Sequence, residues 1–144
     1  MLSPNRSPRD GWRPIATVIH ITDGSGQGAL AWLTNAESHV SAHFLVQANG
    51  RVHQLVPLDE AAWHAGRVDH PTWDSLIPGV SPNVYTVGIE IEGTGAQTIW
   101  PDAQVASVTK LVAALRKQGI MTIIPHRAIN ASKTCPGTFP WEAL

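Results

Sequence analysis

Two β-branched runs limit what this chain can become. Residues 15–21 read IATVIHI and residues 84–91 read VYTVGIEI. Successive strand side chains point to opposite sides of a sheet. The first run is apolar on both, which is the pattern of a central strand covered above and below. A sheet covered in this way calls for helices against it, in one mixed α/β layered domain. One imidazole interrupts the first run: His20, on the face shared by Ala16 and Val18.

The intervening segments fit that plan. Residues 28–36 suit a short helix with Ala29, Leu30 and Leu33 on its apolar side. AHFLVQ and RVHQLV flank Ala-Asn-Gly, and Asn-Gly between strand-like runs signals a hairpin. His43 and His53 alternate with apolar neighbours there and are expected on the sheet surface. The stretch 61–83 is rich in Trp, His, Gly and Pro, lacks periodicity, and is long enough to suggest a functional loop. Residues 100–119 carry the clearest helix. Val105, Val108, Leu111, Val112 and Leu115 recur at helical spacing, with Pro101 at the start and Gly119 at the end. MTIIP is a short last strand that delivers His126 at its end. Residues 1–14, rich in Pro and Arg, read as a lead-in with little structure of its own, before one domain at 15–144.

Composition excludes several roles. With 144 residues and a formal net charge of -1, the chain has no basic footprint for nucleic acid or an anionic membrane. No apolar run approaches the roughly eighteen residues of a membrane span. The first residues lack the apolar core of a signal peptide, so synthesis in a cytosol is expected. A monomer is expected. One cysteine rules out an internal disulfide.

That cysteine raises the chemical question. PHRAINASKTCPG (125–137) holds His126, Lys133 and Cys135 in a stiff polar segment. With His20, two imidazoles and a thiol stand at the ends of elements. A catalytic zinc site uses three such ligands and one open position. The spacing is not a local metal signature. It leaves open a hydrogen-bonded core histidine and a small buried thiol. In VGIEIEG, alternation puts Glu90 and Glu92 on one face, so the pattern does not choose between them as a general base.

The ordered motifs VIHIT, VSAHFLVQANGRVHQLVP, AAWHAG, VGIEIEGTG and HRAINASKTCPG resemble the type 2 family of zinc-dependent N-acetylmuramoyl-L-alanine amidases. That group includes T7-type phage lysozymes, AmpD-type amidases and peptidoglycan recognition proteins. The likeness covers about residues 15–141. It implies a central mixed sheet with helices on its faces and a groove holding one zinc per chain. It implies His20, His126 and Cys135 as the zinc ligands. It selects Glu90 as the base and Lys133 as the cation beside the developing oxyanion. It places His64 and Trp63 of the WHAG motif along the groove as substrate contacts. The tyrosine that T7-type enzymes carry before HF is Ala42 here, so the division of labour resembles the AmpD type.

The implied reaction is hydrolysis of the amide between N-acetylmuramic acid and L-alanine in peptidoglycan or muropeptides. The short 22–38 segment leans toward a phage-type endolysin acting on the periplasmic wall after release. A cytosolic AmpD-like recycling enzyme and a non-catalytic peptidoglycan-binding module are the alternatives.

Overall fold

The computed structural model describes residues 1–144. Its strands, in chain order, are β1 (Arg6–Pro8), β2 (Ala16–Ile21), β3 (Phe44–Val46), β4 (Val52–Gln54), β5 (Glu60–Ala62), β6 (Thr86–Ile91) and β7 (Thr122–Pro125). Its helices are α1 (Gly26–Leu33), α2 (Pro82–Tyr85) and α3 (Asp102–Lys117). The two β-branched runs become neighbours at the centre of a five-stranded sheet ordered β4-β3-β6-β2-β7. β3, β6, β2 and β7 run parallel, and β4 joins β3 antiparallel. The sheet is therefore mixed and lies under helices, as expected for the family fold.

One face of the sheet is its apolar core. Ile19, Phe44, Val46, Val87, Ile89 and Ile91 pack against Val108, Val112 and Leu115 of α3. All five apolar positions read from the 100–119 periodicity belong to this cluster or pack on its edge. Pro101 stands just outside α3 as its N-cap, and Gly119 follows the C-cap residue Gln118 at φ +89°. The hairpin turns at Gly50, with φ +83°, where an added Cβ would lie 2.7 Å from the Ala103 carbonyl of α3. Glycine is thus required there twice, for its backbone angle and for the close approach.

The opposite face is divided. α1 and Leu45, Leu55 and Ala42 fill one end. Val18, Ile124, Ala128 and Ile129 fill the other. Between them stand His20 and Glu90, side by side in the β2–β6 register. α1 begins at Gly26, earlier than the periodicity suggests, because Ser25 caps it by accepting from the Gly28 N–H at 3.2 Å. It ends at Leu33, where Thr34 turns its hydroxyl back onto the Leu30 carbonyl and Asn35 caps a separate 3-10 turn.

Two expectations change. The lead-in has definite structure, supplied by contacts with the domain. β1 pairs antiparallel with β5, and Ser3, Asn5 and Arg9 are buried. These polar side chains satisfy backbone carbonyls in loops and at the ends of elements: Ser3 donates to Leu33, Asn5 to Asn35 and Val40, and Arg9 to Leu58, Val84 and Thr86. His43 is not on the surface but fully buried beneath this lead-in. Its Nδ1 accepts from the Gly88 N–H at 3.0 Å, and its Nε2 lies 2.8 Å from the Arg9 guanidinium. Burial, then the Arg9 charge, pushes its pKa down to about 3, so it is a neutral structural imidazole.

Candidate metal centre and groove

In parallel sheets, functional groups collect beyond the carboxyl ends of the strands. His20 and Glu90 are the next-to-last residues of β2 and β6, and His126 immediately follows β7. The polypeptide then makes a 3-10 turn at His126–Ala128 and returns with Cys135. Asn130 ties this return together. Its Oδ1 accepts from the Ser132 N–H and hydroxyl at 3.0 and 2.6 Å, and its Nδ2 donates to the Arg67 carbonyl at 3.0 Å. Reciprocal backbone bonds between Asp69 and residues 129 and 131 fasten it to the long loop.

The result is convergence across 115 positions of sequence, from His20 to Cys135. The candidate ligand atoms of His20, His126 and Cys135 lie within 4.8 Å of one another. His20 Nδ1 is 3.0 Å from His126 Nδ1, and Cys135 Sγ is 3.3 Å from the same atom. His126 Nε2 lies 2.9 Å from the Ala65 carbonyl, which can only accept. The ring proton is therefore on Nε2, and Nδ1 presents a bare lone pair to His20 and Cys135. Burial, followed by mutual repulsion, holds the His20 pKa well below its usual value, and burial also lowers His126. Two neutral imidazoles and a thiol aimed at one point form a donor set suited to a divalent cation. Without a cation, the Cys135 thiol is pushed up by burial, with Glu90 adding to the rise.

The two carboxylates that alternation could not separate are separated by their contacts. Glu92 is occupied structurally: its Oε2 accepts from the Ala48 N–H in the hairpin at 2.7 Å. Glu90 lines the groove, and its Oε2 is shielded from solvent without a hydrogen-bond partner. Burial pushes its carboxyl up to about 7, against a downward pull from Lys133. Lys133 is exposed along the same groove. Trp63 is half-buried in the groove wall and donates its indole N–H to Ser7 Oγ at 3.2 Å. The groove has a volume of about 930 Å³ and extends past Trp32, Arg67 and Asn83.

His64 also borders the groove, yet both its ring nitrogens are engaged within the protein. Nδ1 is 3.0 Å from His20 Nε2, and Nε2 is 3.1 Å from Thr86 Oγ1. No motif in the sequence marks Thr86 or Asn83. Thr86, Gly88 and Glu90 form one face of β6 by alternation, so the run already placed Thr86 on the Glu90 face of the sheet. The sole tyrosine, Tyr85, is core: its hydroxyl accepts from the Ile77 N–H at 3.1 Å.

Residues 11–138 match the Amidase_2 family, described as N-acetylmuramoyl-L-alanine amidase. The chain belongs to that family. It is 33% identical over 106 residues to N-acetylmuramoyl-L-alanine amidase A of Achromobacter lyticus, covering 70% of this chain and 52% of the relative. It is 35% identical over 115 residues to 1,6-anhydro-N-acetylmuramyl-L-alanine amidase AmpD of Escherichia coli K12, covering 74% and 57%. The chain thus spans about half the length of the curated relatives it matches. A crystal structure of a selenomethionine AmpD derivative superposes with a TM-score of 0.84 at 28% identity, covering 99% of this chain and 89% of that one. AmiD of E. coli, in complex with the substrate anhydro-N-acetylmuramic acid-L-Ala-D-gamma-Glu-L-Lys, superposes at 0.76 and 30% identity, covering 99% and 58%.

Proposed function

We propose that this chain is a zinc-dependent N-acetylmuramoyl-L-alanine amidase, with His20, His126 and Cys135 holding one zinc ion. The observation that carries this reading is the meeting of three donor atoms within 4.8 Å beside a glutamate whose buried Oε2 has no hydrogen-bond partner. Two nitrogens and one sulfur favour zinc over the hard, oxygen-seeking cations. Bound zinc would supply Lewis acidity to the scissile carbonyl and make water more acidic.

The residues of the chain do the rest. Glu90, with a carboxyl poised near neutrality, takes a proton from the attacking water and returns one to the leaving L-alanine amine. Lys133 offsets the negative charge that develops on the carbonyl oxygen. A thiolate ligand donates charge to the metal, which makes this added cation more valuable. Trp63 walls the groove against which the substrate lies.

The substrate is peptidoglycan or a muropeptide derived from it. The endolysin role rests on the short connection between His20 and the Ser41-Ala42-His43 motif, which holds only α1 and one 3-10 turn. Its likeness to the AmpD enzymes supports the second reading, a recycling amidase. No helix is long and apolar enough to cross a membrane. Mass analysis of products from purified sacculi and from soluble anhydro-muropeptides tests both. Release of free stem peptide from sacculi supports the endolysin, and release from anhydro-muropeptides alone supports recycling. Binding without release would leave a peptidoglycan-binding module.

A further inference from the structure

We infer that the dipeptide His64–Ala65 is a bracket that sets the tautomers of both histidine ligands, and that Thr86 and Asn83 hold it in place. The purpose of the bracket rests on the metal reading above. Its existence rests on counting protons.

The count begins at Thr86. Its hydroxyl carries one proton and lies 2.6 Å from the Pro82 carbonyl, which can only accept. That proton is committed. The contact of 3.1 Å between Thr86 Oγ1 and His64 Nε2 must then have nitrogen as donor. The His64 ring is buried, its partners are an imidazole and a hydroxyl with no carboxylate among them, and it carries a single proton. With its proton on Nε2, its Nδ1 is an acceptor. The 3.0 Å contact from His20 Nε2 is therefore a donated N–H. His20 in turn has its lone pair on Nδ1, facing His126 Nδ1 at 3.0 Å. The next residue, Ala65, performs the same service for the second ligand, because its carbonyl accepts from His126 Nε2 at 2.9 Å. Adjacent residues, one through its side chain and one through its backbone, thereby leave two Nδ1 lone pairs facing each other with no proton between them. Such a pair is repulsive until a cation arrives.

The bracket is built into the fold. Asn83 Oδ1 accepts from the backbone N–H groups of His64 and Ala65, at 3.0 and 2.8 Å. Gly88 supplies the floor: a Cβ there would sit 2.4 Å from His64 Cγ. The Gly88 N–H is itself held by His43. His64 is thus a positioning residue. It acts on the metal through His20 and needs no contact with substrate. Partners of this kind fix ring orientation and ligand basicity in metal sites, and their loss typically costs about 10–100-fold in affinity.

Two-bond nitrogen–proton correlation spectra at pH 7.5 test the proton count without any substitution. His20, His64 and His126 should all carry their proton on Nε2 in the zinc-loaded protein, and His64 should do so without metal as well. A proton on Nδ1 of His64, or zinc bound through Nε2 of His20, would overturn the bracket. Chelator competition then reads its effect. Thr86→Val, nearly isosteric, should weaken zinc binding about 10–100-fold and shift the His64 proton, while Thr86→Ser restores both. Zinc held by Thr86→Val as tightly as by the parent overturns the inference. Failure of the parent to bind zinc at all would instead overturn the metal reading, and the metal-free spectra would still judge the proton count.

Discussion

Replacing Glu90 with glutamine separates function from stability most clearly. The parent carboxyl is pushed from 4.5 up to about 7 by burial. Folding therefore raises its proton affinity, and the folded state binds more protons than the unfolded state between those values. Stability from this group is greatest below pH 4.5 and falls as pH rises through about 7. One pKa unit is worth about 1.4 kcal/mol, so ionising Glu90 in the metal-free fold costs up to about 3 kcal/mol at pH 8. Water in the groove reaches part of the side chain and lowers that figure. Glu90→Gln removes the charge and keeps the shape. In denaturant titrations of metal-free protein it should be more stable than the parent at pH 8, by about 1–3 kcal/mol, with the gap closing by pH 4. In the zinc-loaded enzyme the same variant should lose at least about 10²-fold in kcat. A stability difference that does not change with pH, or a variant as active as the parent, would refute the reasoning.

Other variants probe neighbouring parts of the account. Lys133→Ala should reduce kcat at least about 10²-fold while shifting stability by less than about 0.5 kcal/mol, because the side chain is exposed; calorimetry and product release read the two effects. Cys135→Ser should leave the fold intact by circular dichroism but forfeit zinc in elemental analysis, since a neutral hydroxyl is a poor replacement for a thiolate. Gly88→Ala should drive a methyl into the His64 ring, cost about 1–3 kcal/mol in chemical denaturation, and weaken zinc binding as well.

The central strands and α3 were legible in the sequence because burial imposes a period on them. Ile19, Val87, Ile89, Val108, Val112 and Leu115 each sit where alternation or helical spacing puts them. The lead-in was not legible, because Ser3, Asn5 and Arg9 hold it by donating to carbonyls, and hydrogen bonds to backbone have no sequence period. His43 was misplaced for the same reason, since its cover comes from that lead-in. β6 begins at Thr86, two residues later than VYTVGIEI suggests, because Pro82 starts a helical turn that buries Tyr85. At the site, residue types and motif order pointed to His20, His126, Cys135, Glu90 and Lys133. Spacing alone did not, because the convergence is produced by parallel strands whose ends lie far apart in sequence. Alternation left Glu90 and Glu92 on one face and only the family resemblance selected Glu90; the Ala48 contact that occupies Glu92 depends on the hairpin folding back onto β6.

The most direct test is a zinc titration of metal-free protein, with release of stem peptide from muropeptides followed at each point. Activity absent without metal, rising linearly and breaking at one equivalent per chain, is the predicted result. Hydrolysis that persists in metal-free protein, or a chain that takes up no zinc, would contradict the claim that His20, His126 and Cys135 share one catalytic ion.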